Sequence, residues 1–322
     1  MNRRSFIDIT GKAGVALGFA QMFNPLDNII DMMGTQLNGK ELFFKISLAQ
    51  WSLHKAIQSN TLDALDFPKK ARELGFDAVE YVNQLYNIDQ NNPAASITKL
   101  VKELKIRSND NGISNVLIMI DNEGELAGLS KSARDEAIAK HSRWADAAAG
   151  LGCHSIRVNL SGNGADTFEI WKEKSVDGLG RLAEYAAKSN INVIVENHGG
   201  LSSDAGKLTD VIKAINLKNC GTLPDFGNFC IKREGDFCKT EYNRYKGVEE
   251  LMPFAKGVSA KSYNFDAQGN ETTIDYVKIL KIVKNSGYMG RIGIEYEGDV
   301  LNEEQGIMAT KMLLLKAAAK LG

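Results

Sequence analysis

Ile191-Asn-Val-Ile-Val-Glu-Asn-His-Gly-Gly200 is a short β-branched run that ends abruptly in polar chemistry. Along a strand, Ile191, Val193 and Val195 point to one side, and Asn192, Ile194, Glu196 and His198 to the other. Apolar residues on both sides describe a strand buried on both faces, as in a parallel sheet covered by helices. Glu196 and His198 then emerge two apart at the carboxyl end, where Gly199 and Gly200 let the backbone turn sharply. Ligands in parallel α/β sheets sit at the carboxyl ends of the strands, so a carboxylate and an imidazole are offered together where chemistry usually happens. In a purely structural role the same residues would form an ion pair or a helix cap.

Working outward, the same unit repeats. Strands are expected at 45–50, 78–81, 116–120, 155–159, 192–196, 222–225, 257–261 and 292–296. Helical patterns lie between and after them, at 66–75, 94–108, 133–149, 176–189, 205–215, 245–254, 274–285 and 303–321. The 66–75 pattern has Pro68 in its first turn and Gly75 at its end, the usual start and stop. Strands alternating with helices imply parallel pairing through right-handed crossovers. Eight such units with no interrupting domain predict a single-domain (β/α)8 TIM barrel, residues 39–322. An open doubly wound sheet usually carries a glycine-rich phosphate loop after its first strand. Gln50-Trp-Ser-Leu-His54 is nothing like one.

The remaining composition narrows the function. The chain has 322 residues, 43% hydrophobic and 25% charged, with a formal net charge of −1. The balance makes no electrostatic case for nucleic acid as a partner. The four cysteines show no metal-ligand spacing: Cys153 and Cys220 read as buried thiols, while Cys230 and Cys238 could pair in an oxidising compartment.

Residues 1–38 differ from the rest. Asn2-Arg3-Arg4-Ser5-Phe6-Ile7 resembles the twin-arginine export motif, and the apolar stretch after it, Ala13 to Ala20, is too short to span a bilayer. This segment is expected to be a targeting signal and linker that directs the protein to the periplasm. An ordinary amphipathic extension on a cytoplasmic protein is the alternative.

In a barrel the strand ends converge on one mouth, so listing them predicts the composition of the site. They supply Gln50, Trp51 and His54; Glu80 and Asn83; Asp121 and Asn122; Arg157 and Asn159; Glu196 and His198; Asp225 and Asn228; Ser259 and Lys261; Glu295 and Glu297. Carboxylates held this close are costly unless a cation or protons compensate them. Glu196, Asp225 and Glu295 are therefore candidate ligands for a hard divalent cation, Mn, Mg or Zn. Structurally, each could instead cap a helix or pair with Lys261 or Arg157. His141 and His154 fall at structural positions.

Four of these stretches make the chain similar to the xylose-isomerase-like TIM barrels, the sugar phosphate isomerases/epimerases, over about residues 44–320. Val195-Glu-Asn-His198 resembles the family's strand-five motif, whose glutamate binds metal. Asp225-Phe-Gly-Asn228 resembles its Asp-x-x-(Asn/His) motif, and Ile294-Glu-Tyr-Glu297 its last strand with the second glutamate. Val258-Ser-Ala-Lys261 departs from the usual His-x-Lys-Asp, since Ser259 replaces the histidine and Ser262 the aspartate. A chain with four histidines and no basic surface signature is unlike the DNA-repair endonucleases of the superfamily, which use a histidine-rich three-zinc site.

The resemblance implies a metal-dependent sugar isomerase or epimerase working by proton abstraction next to a carbonyl. Glu196 and Glu295 would be the proton-transfer pair, and Lys261 would stabilise charge on oxygen. Trp51, His54, Glu80, Arg157, Asn159, His198 and Asn228 would bind a small carbohydrate. Trp51 and Tyr81 could offer stacking faces, whereas Tyr296 points away from Glu295 into the core. Two alternatives stand beside this reading: a keto-sugar or glycoside lyase or hydrolase using the same enolate chemistry, and a non-catalytic carbohydrate-binding barrel that lost its metal with the histidine. A homo-oligomer is compatible with all three.

Overall fold

The computed structural model describes residues 42–160 and 167–322; the expected targeting segment at residues 1–38 lies outside the described residues. The first six strands are β1 (Lys45–Ala49), β2 (Ala78–Val82), β3 (Ser114–Ile120), β4 (Ser155–Val158), β5 (Asn192–Glu196) and β6 (Cys220–Leu223). A hairpin, β7 (Cys230–Glu234) and β8 (Phe237–Glu241), follows, and then β9 (Val258–Ser262) and β10 (Arg291–Tyr296). Eight of these form one sheet in the order β6-β5-β4-β3-β2-β1-β10-β9, every neighbouring pair parallel. The ring closes between β6 and β9: Lys256 N–H donates to Thr222 O at 3.0 Å, Ser259 N–H to Pro224 O at 2.9 Å, and Phe226 N–H to Ser259 O at 3.1 Å. The chain is a single-domain (β/α)8 barrel, as the strand–helix alternation predicts.

The helices are α1 (His54–Gln58), α2 (Phe67–Glu73), α3 (Pro93–Asp110), α4 (Lys131–Leu151), α5 (Phe168–Ala187), α6 (Ala205–Ile215), α7 (Arg244–Leu251), α8 (Tyr276–Asn285) and α9 (Glu303–Ala319). Local chemistry sets their ends. Ser130 Oγ accepts from Ala133 N–H at the start of α4, and Gly152 ends that helix at φ 80°. Asn302 and Gln305 form a capping box on α9. α5 begins eight residues before the expected position, because Thr167 caps it and Trp171 anchors its first turn in the core. Among the described residues no helix is long and apolar enough to cross a membrane.

The β7–β8 hairpin was not anticipated from the strand pattern. Its strands are mostly polar and exposed, so apolar alternation does not announce them. The signal it does carry is the two-residue Gly235-Asp236 turn, with Gly235 at φ 60°. A Cys230–Cys238 disulfide ties the two strands together.

The core has two parts. The larger lies between strands and helices and includes Val193, Val195 and Tyr81; the smaller fills the barrel with Ala49, Val82, Leu117, Met119, Ile194 and Leu223. The split of Val193 and Val195 from Ile194 is the period-two alternation read from the sequence. Inside the barrel, alongside that apolar plug, the lining is polar: Ser47, Glu80, Ser155, Arg157, Glu196, Asp225, Ser259, Lys261 and Glu295 are all buried.

Candidate active site

At the carboxyl end of β5, Glu196 is 1% exposed. Its Oε1 accepts from Asn228 Nδ2 at 2.9 Å, and its Oε2 lies 3.0 Å from Arg157 Nε. That last approach brings the charges together without the N–H alignment of a hydrogen bond. Arg157, on β4, donates from its other end to Asp121 Oδ1 at 2.7 Å, and Asn159 Nδ2 donates to the same oxygen at 2.7 Å. Burial works against ionising both groups, but their mutual attraction wins: Asp121 is held below the ordinary carboxylate range and Arg157 stays charged.

Asp225 follows β6 and is fully buried. Its Oδ1 accepts two backbone N–H groups, Gly227 at 2.7 Å and Asn228 at 2.8 Å, which shape the turn. Among the described residues its Oδ2 is buried with no hydrogen-bond partner, and the Lys261 ammonium is 3.9 Å away. Burial pushes its carboxyl up to about 8; Lys261 pulls the other way, and Glu196 and Glu295 add to the rise.

Glu295 ends the β10 side of the mouth. Its Oε1 accepts from Lys261 Nζ at 2.7 Å and its Oε2 from Ser259 Oγ at 3.1 Å. Burial alone would raise this carboxyl, yet the ammonium holds it below its ordinary value. Lys261 also reaches Glu297 at 3.1 Å, and these carboxylates keep it charged despite burial. Ser259, the departure from the family pattern, thus orients the glutamate beside it.

Glu196, Asp225 and Glu295 each offer an oxygen within 4.8 Å of the other two. Three buried carboxylates around a point, one with an orphaned oxygen, fit a hard divalent cation. Arg157 and Lys261 neutralise part of this charge and leave an excess, because Asp121, Glu80 and Glu297 also draw on them.

The remaining candidates divide. Asn228 and Arg157 touch Glu196, and Asn159 supports Arg157 through Asp121. Trp51 packs against the apolar plug, and His54 stacks on it at 4.4 Å. His54 Nδ1 faces Trp51 O at 2.6 Å and Glu303 at 3.8 Å, so the imidazole is tied to its own turn and to α9.

Glu80 does not stand at the mouth. It is 2% exposed inside the barrel, where Ser47 Oγ donates to it at 2.6 Å and burial raises it to about 7. Gly293 makes the room: a Cβ there would lie 2.5 Å from Glu80 Oε2. His198 is exposed on the rim instead of sharing the Glu196 face, because β5 ends at Glu196 and the alternation stops with it. Tyr81 offers no stacking face: it packs edge-on to Phe67 in the outer core and donates to Asn115. Tyr296 is in the core, as alternation requires.

Two supporting residues escaped the sequence reading. Buried Asn197 donates to the backbone oxygens of Asp225 and Asn228 at 3.0 and 3.1 Å and accepts from Asp225 N–H at 2.8 Å, locking β5 to the next loop. Its place beside Glu196 was its only signal. Gly293 was legible as a glycine inside a strand, which marks a close approach.

A family model described as xylose isomerase-like TIM barrel matches residues 68–317. No curated protein matches significantly. Solved structures share the fold at low identity. The apo 3-keto-D-glucoside 4-epimerase of E. coli is 16% identical with a TM-score of 0.64, over 85% of this chain and 99% of that one. A D-psicose 3-epimerase from Clostridium cellulolyticum H10, with D-tagatose, is 17% identical with a TM-score of 0.57, over 86% and 97%. A xylose isomerase-like barrel protein from Mycobacterium smegmatis, in complex with magnesium, is 14% identical with a TM-score of 0.61, over 89% and 100%. With the family model covering most of the chain and the barrel closed around its acidic mouth, this protein belongs to the xylose isomerase-like TIM barrel family.

Proposed function

We propose that this barrel is a divalent-metal-dependent isomerase or epimerase of a sugar or sugar derivative, working by proton transfer at the carbon next to a carbonyl. The observation that carries the reading is the convergence of Glu196, Asp225 and Glu295 within 4.8 Å, buried, with Asp225 Oδ2 unpartnered among the described residues. Sugar epimerases among the structural relatives support the substrate class.

Glu196, Asp225 and Glu295 would hold the ion, and the magnesium complex of one relative supports a metal of that kind. A divalent ion at this point supplies Lewis-acid polarisation of the substrate's oxygens. The chain supplies the rest. Glu196 and Glu295 stand on strands three apart round the ring, so they approach a sugar from different walls, one removing the proton and the other returning it. Glu295 is ionised at neutral pH and ready as a base. Lys261, whose Nζ lies 2.7 Å from Glu295 Oε1, would set a fixed positive charge near the oxygen on which negative charge develops. Arg157 and Asn228 hold the Glu196 carboxylate in one orientation. The Cys230–Cys238 disulfide supports export to an oxidising compartment, the role assigned to residues 1–38.

The test is isotopic. Wild-type protein should exchange the substrate's carbon-bound hydrogen with deuterium oxide. Glu196→Gln and Glu295→Gln should each lower exchange by roughly 10²–10⁴-fold, the range for loss of a general base. Metal content is measured in each variant to separate lost base from lost ligand. Turnover without any exchange in the wild type would reject proton transfer and leave the two glutamates as ligands only.

A further inference from the structure

Glu196, Asp225 and Glu295 offer one oxygen each within 4.8 Å of one another, and among the described residues no imidazole or thiol joins them. The nitrogen and sulfur donors are placed elsewhere. His54 is tied to its own turn, His141 to Ala137 O on α4, and His154 to Ser155 Oγ. Cys153 and Cys220 lie in the outer core, and His198 stands exposed on the rim.

One more side chain stands among the carboxylates. Ser259, 1% exposed, donates its Oγ to Glu295 Oε2 at 3.1 Å and forms a parallel β-bridge with Asp225 where the ring closes. A neutral hydroxyl is a weak ligand for a divalent ion, and this one is already engaged with the glutamate. Protein donors hold the rest of each carboxylate: Asn228 and Arg157 on Glu196, two N–H groups on Asp225 Oδ1, Lys261 on Glu295. A bidentate grip by any of the three would compete with these bonds. Magnesium and manganese take about six oxygens, so three from the chain leave the remaining places to water and substrate.

We infer that this is an all-oxygen site, in which Ser259 leaves a coordination place open beside Asp225 and Glu295, and that it takes magnesium or manganese with little preference for zinc. Imidazole and thiolate ligands are what favour zinc over the harder ions, whereas carboxylate and water suit magnesium and manganese. The inference rests on the proposed metal-dependent function and adds the selectivity for the ion to it.

The test puts a soft ligand at that place. Ser259→Cys is close to the serine in size and adds one sulfur. Full-length wild type and variants, freed of metal by chelation, are titrated with manganese and zinc by calorimetry and with cadmium by ultraviolet absorption. In wild type, zinc should bind no more than about a hundredfold tighter than manganese, and cadmium should give no thiolate-to-metal band. Ser259→Cys should widen the zinc-to-manganese ratio by at least about tenfold and develop the cadmium band at one ion per chain. Ser259→Ala, which adds no ligand, should keep the wild-type ratio. Thermal melts check that the variants fold, and the wild-type ratio is a test in itself if the cysteine variant does not. A larger zinc preference in wild type would overturn the inference, and its loss in His198→Ala would name the nitrogen responsible. A folded Ser259→Cys with an unchanged ratio and no cadmium band would also overturn it. Either result leaves the proposed function standing, whereas a wild type that binds no divalent ion would overturn both.

Discussion

Replacing Asp225 by asparagine separates stability from metal binding at one position. Asn keeps the acceptor that takes the Gly227 and Asn228 N–H groups, so the turn is retained. It removes the carboxylate whose Oδ2 is buried without a partner. In the metal-free fold that carboxyl titrates at about 8, against an ordinary value of 3.8. A carboxyl raised in this way costs nothing below its unfolded value and destabilises the fold progressively as pH rises towards 8. Each unit is worth about 1.4 kcal/mol, so at pH 7 the penalty is on the order of 4 kcal/mol, and relaxation around the site leaves roughly 2–4. Metal-free Asp225→Asn should therefore be more stable than wild type at pH 7–8 by about that amount, with the gap closing towards pH 4. With metal the order reverses in sensitivity: manganese at a hundred times its Kd should stabilise wild type by about 2.7 kcal/mol and the variant far less. The assay is urea unfolding of chelator-treated and manganese-loaded proteins from pH 4 to 8. A metal-free variant less stable than wild type at pH 8, or equal metal stabilisation in both, would refute the reasoning.

Three further outcomes are expected. Lys261→Met leaves the buried Glu295 carboxylate without its 2.7 Å partner and should cost about 3–5 kcal/mol at neutral pH, less at pH 5 where the freed carboxyl can protonate, measured by denaturant unfolding. Gly293→Ala puts a methyl 2.5 Å from Glu80 Oε2 inside the barrel and should destabilise by about 1–3 kcal/mol, while Gly287→Ala, where a Cβ meets nothing, should show only the strain of its positive φ. A chain starting near Lys40 should keep its cooperative thermal melt, since residues 1–38 show no strand–helix repeat; loss of soluble folded protein would count against the targeting role.

The sequence by itself determined the barrel and the membership of its mouth. Period-two and period-3.6 patterns are written in neighbouring residues, so eight strand–helix units could be counted from them. A residue at a strand's carboxyl end is carried to the rim by covalent adjacency alone, which is why Glu196, Asp225, Glu295 and Lys261 were legible. Only the tertiary structure decided how those charges divide. Lys261 pairs with Glu295 and Glu297 while Asp225 keeps an unpartnered oxygen, a distinction that depends on ångström differences between separate strands. Glu80 looked like a rim residue and lies inside the barrel, because Gly293, far along the chain on β10, leaves a space only its carboxylate fills. His198 shares a parity with Glu196 but not a face, since strand parity ends where the hydrogen-bonded strand ends. Asn197 acquires its role only when the loop after β6 folds over it.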